Sequence, residues 1–256
     1  MNTLTWFDAS AFLVALLLWF GYSWFAKRMA KKDTSLSSVL VIYRIDWMRH
    51  LLERENRMLD AALMGNLERN INFFASTSLL AIAGAFTGIT TAENLLAFTQ
   101  AVPFSYPQTV EAIKIKFFVI SAILVFAFFK FTWALRQSGF VSAMVGAAPN
   151  FDDKNATTSM KRAFARNAGK LLDQAGHNQN DGLRAYYFAL ATLSWLIHPL
   201  FYILCSLVVV RVLYIREFKS RTLDMLSRGL SSSAYYMEKQ QELEKAREAH
   251  HRDSKS

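Results

Sequence analysis

Two basic side chains lie inside apolar stretches of this 256-residue sequence, where an ionisable group is costly and so marks a candidate site. Lys130 is the only Lys, Arg, Asp or Glu in 117–135 (FFVISAILVFAFFKFTWAL). Turned inward, it would make an ion pair or polar contact. Turned outward, it would snorkel to the headgroups, because the run ends five residues on, about 7–8 Å of helix. His198 precedes Pro199 within the uncharged run 185–210. An imidazole titrates near neutral pH and can relay protons or bind a metal. Pro199 lacks a backbone donor and clashes with the carbonyl of Trp195. A kink is therefore expected, with that carbonyl open to a proton, an ion or a hydroxyl. No second His or carboxylate stands three or four residues from His198, so a neutral imidazole bonded across the bundle is the simpler reading.

The remaining motifs are weaker. Gly84 and Gly88 form a GxxxG in an apolar run, the pattern of two closely approaching helix backbones. A homodimer face is one reading, and packing within the bundle is the more economical one. His177 falls between Asp173 and Asp181, but four-residue spacing alone does not make a metal site, so a solvated loop is expected. His250-His251 reads as tail, and Cys205 as a small packing residue. No GxGxxG, GxxxxGK, HExxH or GxSxG occurs, which weakens nucleotide-binding and hydrolase readings. No cofactor, metal or catalytic set is expected.

These residues sit on elements that the composition largely dictates. The chain is 53% hydrophobic, with 21 Phe, 6 Trp and 9 Tyr. Four runs, 9–26, 71–92, 117–135 and 185–210, reach the roughly 20 residues a bilayer requires. Inside lipid they must be helices, because the backbone has no other way to satisfy its hydrogen bonds. The fold class is therefore all-α: an integral membrane bundle of about four spans. Amphipathic surface helices are expected in the 27–70 and 136–184 loops. In the second loop Pro149-Asn150 marks a turn, Gly176 ends the helix, and 177–182 (HNQNDG) is a polar connection. Residues 1–220 form the membrane domain and 221–256 a charged tail, helical or disordered.

The net charge of +9 flanks the apolar runs, so it points to topology and anionic headgroups rather than to nucleic acid. Asp8 precedes the first run and Lys27, Arg28, Lys31 and Lys32 follow it, the pattern of an uncleaved anchor with its N-terminus outside. Four continuous spans would then leave the basic tail outside as well, against the positive-inside rule. Localisation in a bacterial inner membrane, multi-pass, is expected.

The stretches 166–202 (RNAGKLLDQAGHNQNDGLRAYYFALATLSWLIHPLFY), 213–218 (LYIREF), 68–84 (ERNINFFASTSLLAIAG) and 128–140 (FFKFTWALRQSGF) resemble domain-of-unknown-function family 599, a group of bacterial and plant membrane proteins. The resemblance covers roughly 40–220. It implies a multi-span membrane domain and supplies no activity. Its polar residues gather at span ends: Arg69 and Asn70 before the second, Arg136 after the third, and Arg166, Asn167, Arg184, Tyr186 and Tyr187 leading into the fourth. They are expected to cluster at the cytoplasmic end, binding an anionic headgroup or metabolite, or to anchor there singly. The leading functional expectation is a non-enzymatic module binding lipid or a partner protein. A small-solute or proton carrier using His198 and Lys130 is the alternative, and a membrane enzyme on a lipid or quinone ranks third.

Overall fold

The computed structural model describes residues 5–29 and 35–230, together with Met237 and Gln241. His250-His251 and most of the expected tail lie outside the described residues. The described chain is helical, with no strand: α1 (Trp6–Met29), α2 (Leu36–Glu53), α3 (Met58–Thr90), α4 (Ala92–Ala101), α5 (Val110–Gly146), α6 (Thr158–Leu193), α7 (Pro199–Phe218) and α8 (Arg221–Gly229). Side-chain caps mark several starts. Ser35 and Ser38 close a capping box on α2, Thr109 accepts from Ala112 N on α5, and Thr157 caps α6.

Four stretches are long and apolar enough to cross a membrane: Trp6–Ala26, Met58–Thr90, Val110–Gly146 and Pro199–Gly229. Half of the apolar stretch of α5 is buried, against about a quarter for the others, so α5 is the central helix. α3 and α6 pack along it; α6 also meets α2 and α7, and α7 meets α1. Trp19 of α1 closes the ring, edge-on to Phe126 of α5 and stacked on Phe188 of α6.

The run 185–210, expected as one span, is two helices. α6 ends at Leu193, Ser194–Leu196 make a short 3₁₀ turn, and Pro199 is the first residue of α7. Proline belongs at a helix start because its missing N–H has no partner there anyway. The break reverses the chain and gives the molecule two distinct ends. At the lower end α1 begins, α5 begins and α6 gives way to α7. The upper end carries α2, the end of α5, the start of α6, and α8, which packs on α2 through Leu223 and Leu230.

The expected amphipathic elements are α2 and the first two-thirds of α6, and they pack on each other. Gly176 does not end a helix, and 177–182 is not a connection; both lie inside α6. Of the polar residues that suggested a loop, Asn178 and Asp181 bond α5, Gln179 bonds Asn70 of α3, and His177 is exposed beside Asp173. Gly169 permits the approach of α2. A Cβ there would stand 2.7 Å from the Ile45 backbone. A small core of Met48, Leu51 and Leu52 with Met64, Val141 and Leu172 ties α2 to α3, α5 and α6.

Candidate functional site

On α6, Asp173, His177 and Asp181 recur every fourth residue and so share one face, with Gln174 and Asn178 beside them. Arg44 of α2 pairs with Asp173, which His177 Nε2 approaches at 3.2 Å. Lys130 Nζ lies 3.2 Å from Asp181 Oδ2 and donates to Asn178 Oδ1 at 3.2 Å. Asn178 in turn donates to Gln137 Oε1 at 2.8 Å. Arg184 lies 3.5 Å from Asp181 Oδ1, and its guanidinium sits over the Tyr22 ring at 5.6 Å. Lys130 is thus turned into the bundle and paired, the inward one of the two readings open to it. Ser37, Ser38 and Val41 of α2, Lys130, Trp133 and Gln137 of α5, and the polar face of α6 enclose a cleft of about 840 Å³.

At the lower end the helix break is held by a buried ion pair. Lys116 and Asp8 are 1% and 2% exposed, and Lys116 Nζ lies 3.2 Å from Asp8 Oδ1. Trp195 Nε1 donates to the same oxygen at 2.8 Å, and Thr5 Oγ1 donates to Oδ2 at 2.7 Å. The reversal at 194–198 leaves backbone carbonyls without helical partners, and neighbouring residues take them up. Lys116 Nζ donates to Trp195 O at 3.0 Å, Gln108 Nε2 to Leu196 O at 2.7 Å, and Tyr106 N to Ile197 O at 2.9 Å. Irregular backbone survives at such a depth only where protein covers it in this way. The carbonyl that Pro199 was expected to free is therefore the one that receives the Lys116 ammonium.

A third feature faces α3. Because α3 and α6 both pack on α5, a gap of about 400 Å³ remains between them, floored by Phe117, Ile120 and Leu124. Its walls are Ala81, Gly84 and Ala85 of α3 and Ala189, Leu190 and Leu193 of α6, with Thr77 and Tyr186 as the polar members. Tyr186 donates to Phe74 O at 2.8 Å and stands 2.6 Å from Ser78 Oγ, bridging α6 to α3.

The residues singled out from the sequence do not converge. His198 is not mid-span: it is the N-cap of α7, its Nδ1 accepting from Leu200 N at 3.0 Å, among the rings of Phe7, Tyr106 and Phe201. Gly88 packs against the Phe117 ring, whereas a Cβ at Gly84 would meet nothing within 4 Å. Arg69 bonds Asn66, Asn70 accepts from Gln179 at 2.9 Å, and exposed Arg136 lies over Phe140. Arg166 and Asn167 are exposed near the start of α6. Tyr187 accepts from Arg216 of α7 at 2.7 Å. Of the span-end residues only Arg184 joins Lys130 on the α6 polar face; Tyr186 lines the gap facing α3, and the others are spread around the upper end. Sequence reasoning misses Asp8 and Lys116, which read as topology and loop charges, and Asn178 and Gln137. It has the four-residue repeat Asp173, His177, Asp181 but assigns it to a solvated loop, where the structure has a helix face packed on α2 and α5. Among the described residues no three His, Cys, Asp or Glu converge as metal ligands would.

An all-helical bundle with four membrane-length apolar helices, a paired lysine in one of them and a covered helix break defines a class of multi-helix membrane protein. Within that class the chain belongs to the family described as protein of unknown function, DUF599, whose family model matches residues 10–222. The match takes in α1 as well as the stretches that carried the resemblance. No curated protein and no solved structure matches the chain.

Proposed function

We propose that the protein is a non-enzymatic membrane module that holds a lipid chain in the groove between α3 and α6. The observation that carries this is the groove itself. Its lining is almost wholly apolar, two of its three helices are both long and apolar enough to cross a membrane, and Gly84 leaves one wall without a side chain. Burying an acyl chain against such walls adds dispersion contacts that a bare gap forfeits. Gly84→Phe is the test, because a side chain at Gly84 enters open space. The variant is expected to fold normally and to lose lipid that co-purifies with the unaltered protein, read by mass spectrometry of the intact complex. Undiminished lipid in a folded Gly84→Phe protein refutes the reading.

The same proposal sets the molecule in a bacterial inner membrane with the start of α1 outside and the upper end in the cytoplasm. Among the described residues, every Lys and Arg except Lys114, Lys116 and Lys130 lies in 27–70, 136–184 or 211–230, and the described parts of those segments adjoin the upper end. A carrier that uses Lys130 and His198 together is less well supported. Lys130 meets the middle of α6 at Asn178 and Asp181, whereas His198 lies past its last residue, Leu193, roughly 20 Å further along the axis, and His198 is committed to a helix cap.

A further inference from the structure

The cleft on the other flank of α5 and α6 has a division of labour between its walls. The α5 wall offers N–H groups. Lys130 spends two of its three on Asn178 and Asp181. Gln137 uses its amide oxygen to accept from Asn178, leaving its amide nitrogen to donate. Trp133, 49% exposed, adds an indole N–H at the rim. The three stand at i, i+3 and i+7 and so share one face of α5. The α6 wall offers acceptors. Asp173 meets Arg44 and His177, and a carboxylate has acceptor sites for about four donors, so it can receive more. The geometry points to a site for a zwitterion, an anionic phosphate or carboxylate joined to a primary ammonium, with the anion on Lys130, Trp133 and Gln137 and the ammonium on Asp173.

The depth of the cleft adds to this. Lys130 lies 20 residues into α5, about 30 Å from its start, which is one hydrocarbon thickness. At the corresponding end of α1, Arg28 covers the Trp24 ring at 4.9 Å, an aromatic and basic pairing of the interfacial kind. An aminophospholipid headgroup and a free zwitterion present the same chemistry at that level. This inference does not rest on the groove facing α3.

The test uses the full chain in detergent and sn-glycero-3-phosphoethanolamine as probe, with glycerol 3-phosphate and ethanolamine as its two halves, by calorimetry. The intact zwitterion is expected to bind, and each half roughly tenfold or more weakly. Trp133→Phe, at an exposed rim position, and Asp173→Asn, which keeps the side-chain shape, are each expected to weaken binding by about three- to tenfold with unchanged helix content. Gly84→Phe leaves it unaltered. Nanodiscs containing equal phosphatidylethanolamine and phosphatidylglycerol separate the sources. Selective retention of the former assigns the site to a lipid headgroup, and binding of the free probe without such selection assigns it to a soluble zwitterion. Equal binding of glycerol 3-phosphate and the zwitterion, full affinity in both variants, or neither probe nor lipid bound to folded protein overturns the inference.

Discussion

The most consequential side chains are Asp8 and Lys116, two opposite charges from the starts of different helices that meet out of water beside Trp195. Removing one partner of such a pair strands the other charge. Lys116→Met is therefore expected to cost about 3–5 kcal/mol of stability. The double variant with Asp8→Asn should recover much of that loss, since replacing both charges is far milder than orphaning one. Denaturant titration in detergent compares the three proteins. His198 has a smaller duty. His198→Ala removes the α7 cap and should cost about 1 kcal/mol, whereas His198→Asn, a good capping residue, should cost little. At this scale Lys130 was legible, because a lone charge inside an apolar run stands out. Asp8 and Lys116 were not, because each sits at the edge of a run, where a charge ordinarily signals orientation. What carries them inside is contact with the break after α6, and nothing local to either residue announces it.

At the scale of elements, hydropathy alone located α1, α3 and α5. It misread α6, because polarity was taken for exposure. The first two-thirds of α6 is polar, yet Asp173, Asn178 and Asp181 are satisfied by α2 and α5 rather than by water. The apolar run then joined the end of α6 to α7 across Pro199. Each half of that run is too short to span by itself, but α6 begins at Thr158 and α7 continues to Phe218. The α2–α6 contact depends on Gly169. Gly169→Ala places a methyl 2.7 Å from Ile45 backbone, which cannot step aside as a side-chain tip can. That overpacking is expected to cost about 1–3 kcal/mol, and hydrogen exchange should rise across α2 before it rises in α5.

Across the whole molecule, α3, α5 and α6 have 33, 37 and 36 residues, against the roughly 20 that a bilayer takes. The surplus lies at the upper end, where α2 and α8 join it. Breaking the chain at 194–198 also places α8, and so the route to the tail, opposite the start of α1. With the upper end cytoplasmic, a reporter fused after Ser256 is expected inside the cell, and a tag before Thr5 outside. A periplasmic C-terminal reporter would refute that orientation.

The covered break also orders biogenesis. Asp8 and Lys116 leave the ribosome long before Trp195. Until the α6–α7 hairpin enters the membrane, the ammonium lacks one of its acceptors and the carboxylate lacks the indole donor. A chain truncated before Trp195 thus presents an incompletely solvated charge pair to lipid, and completing the hairpin is what closes it.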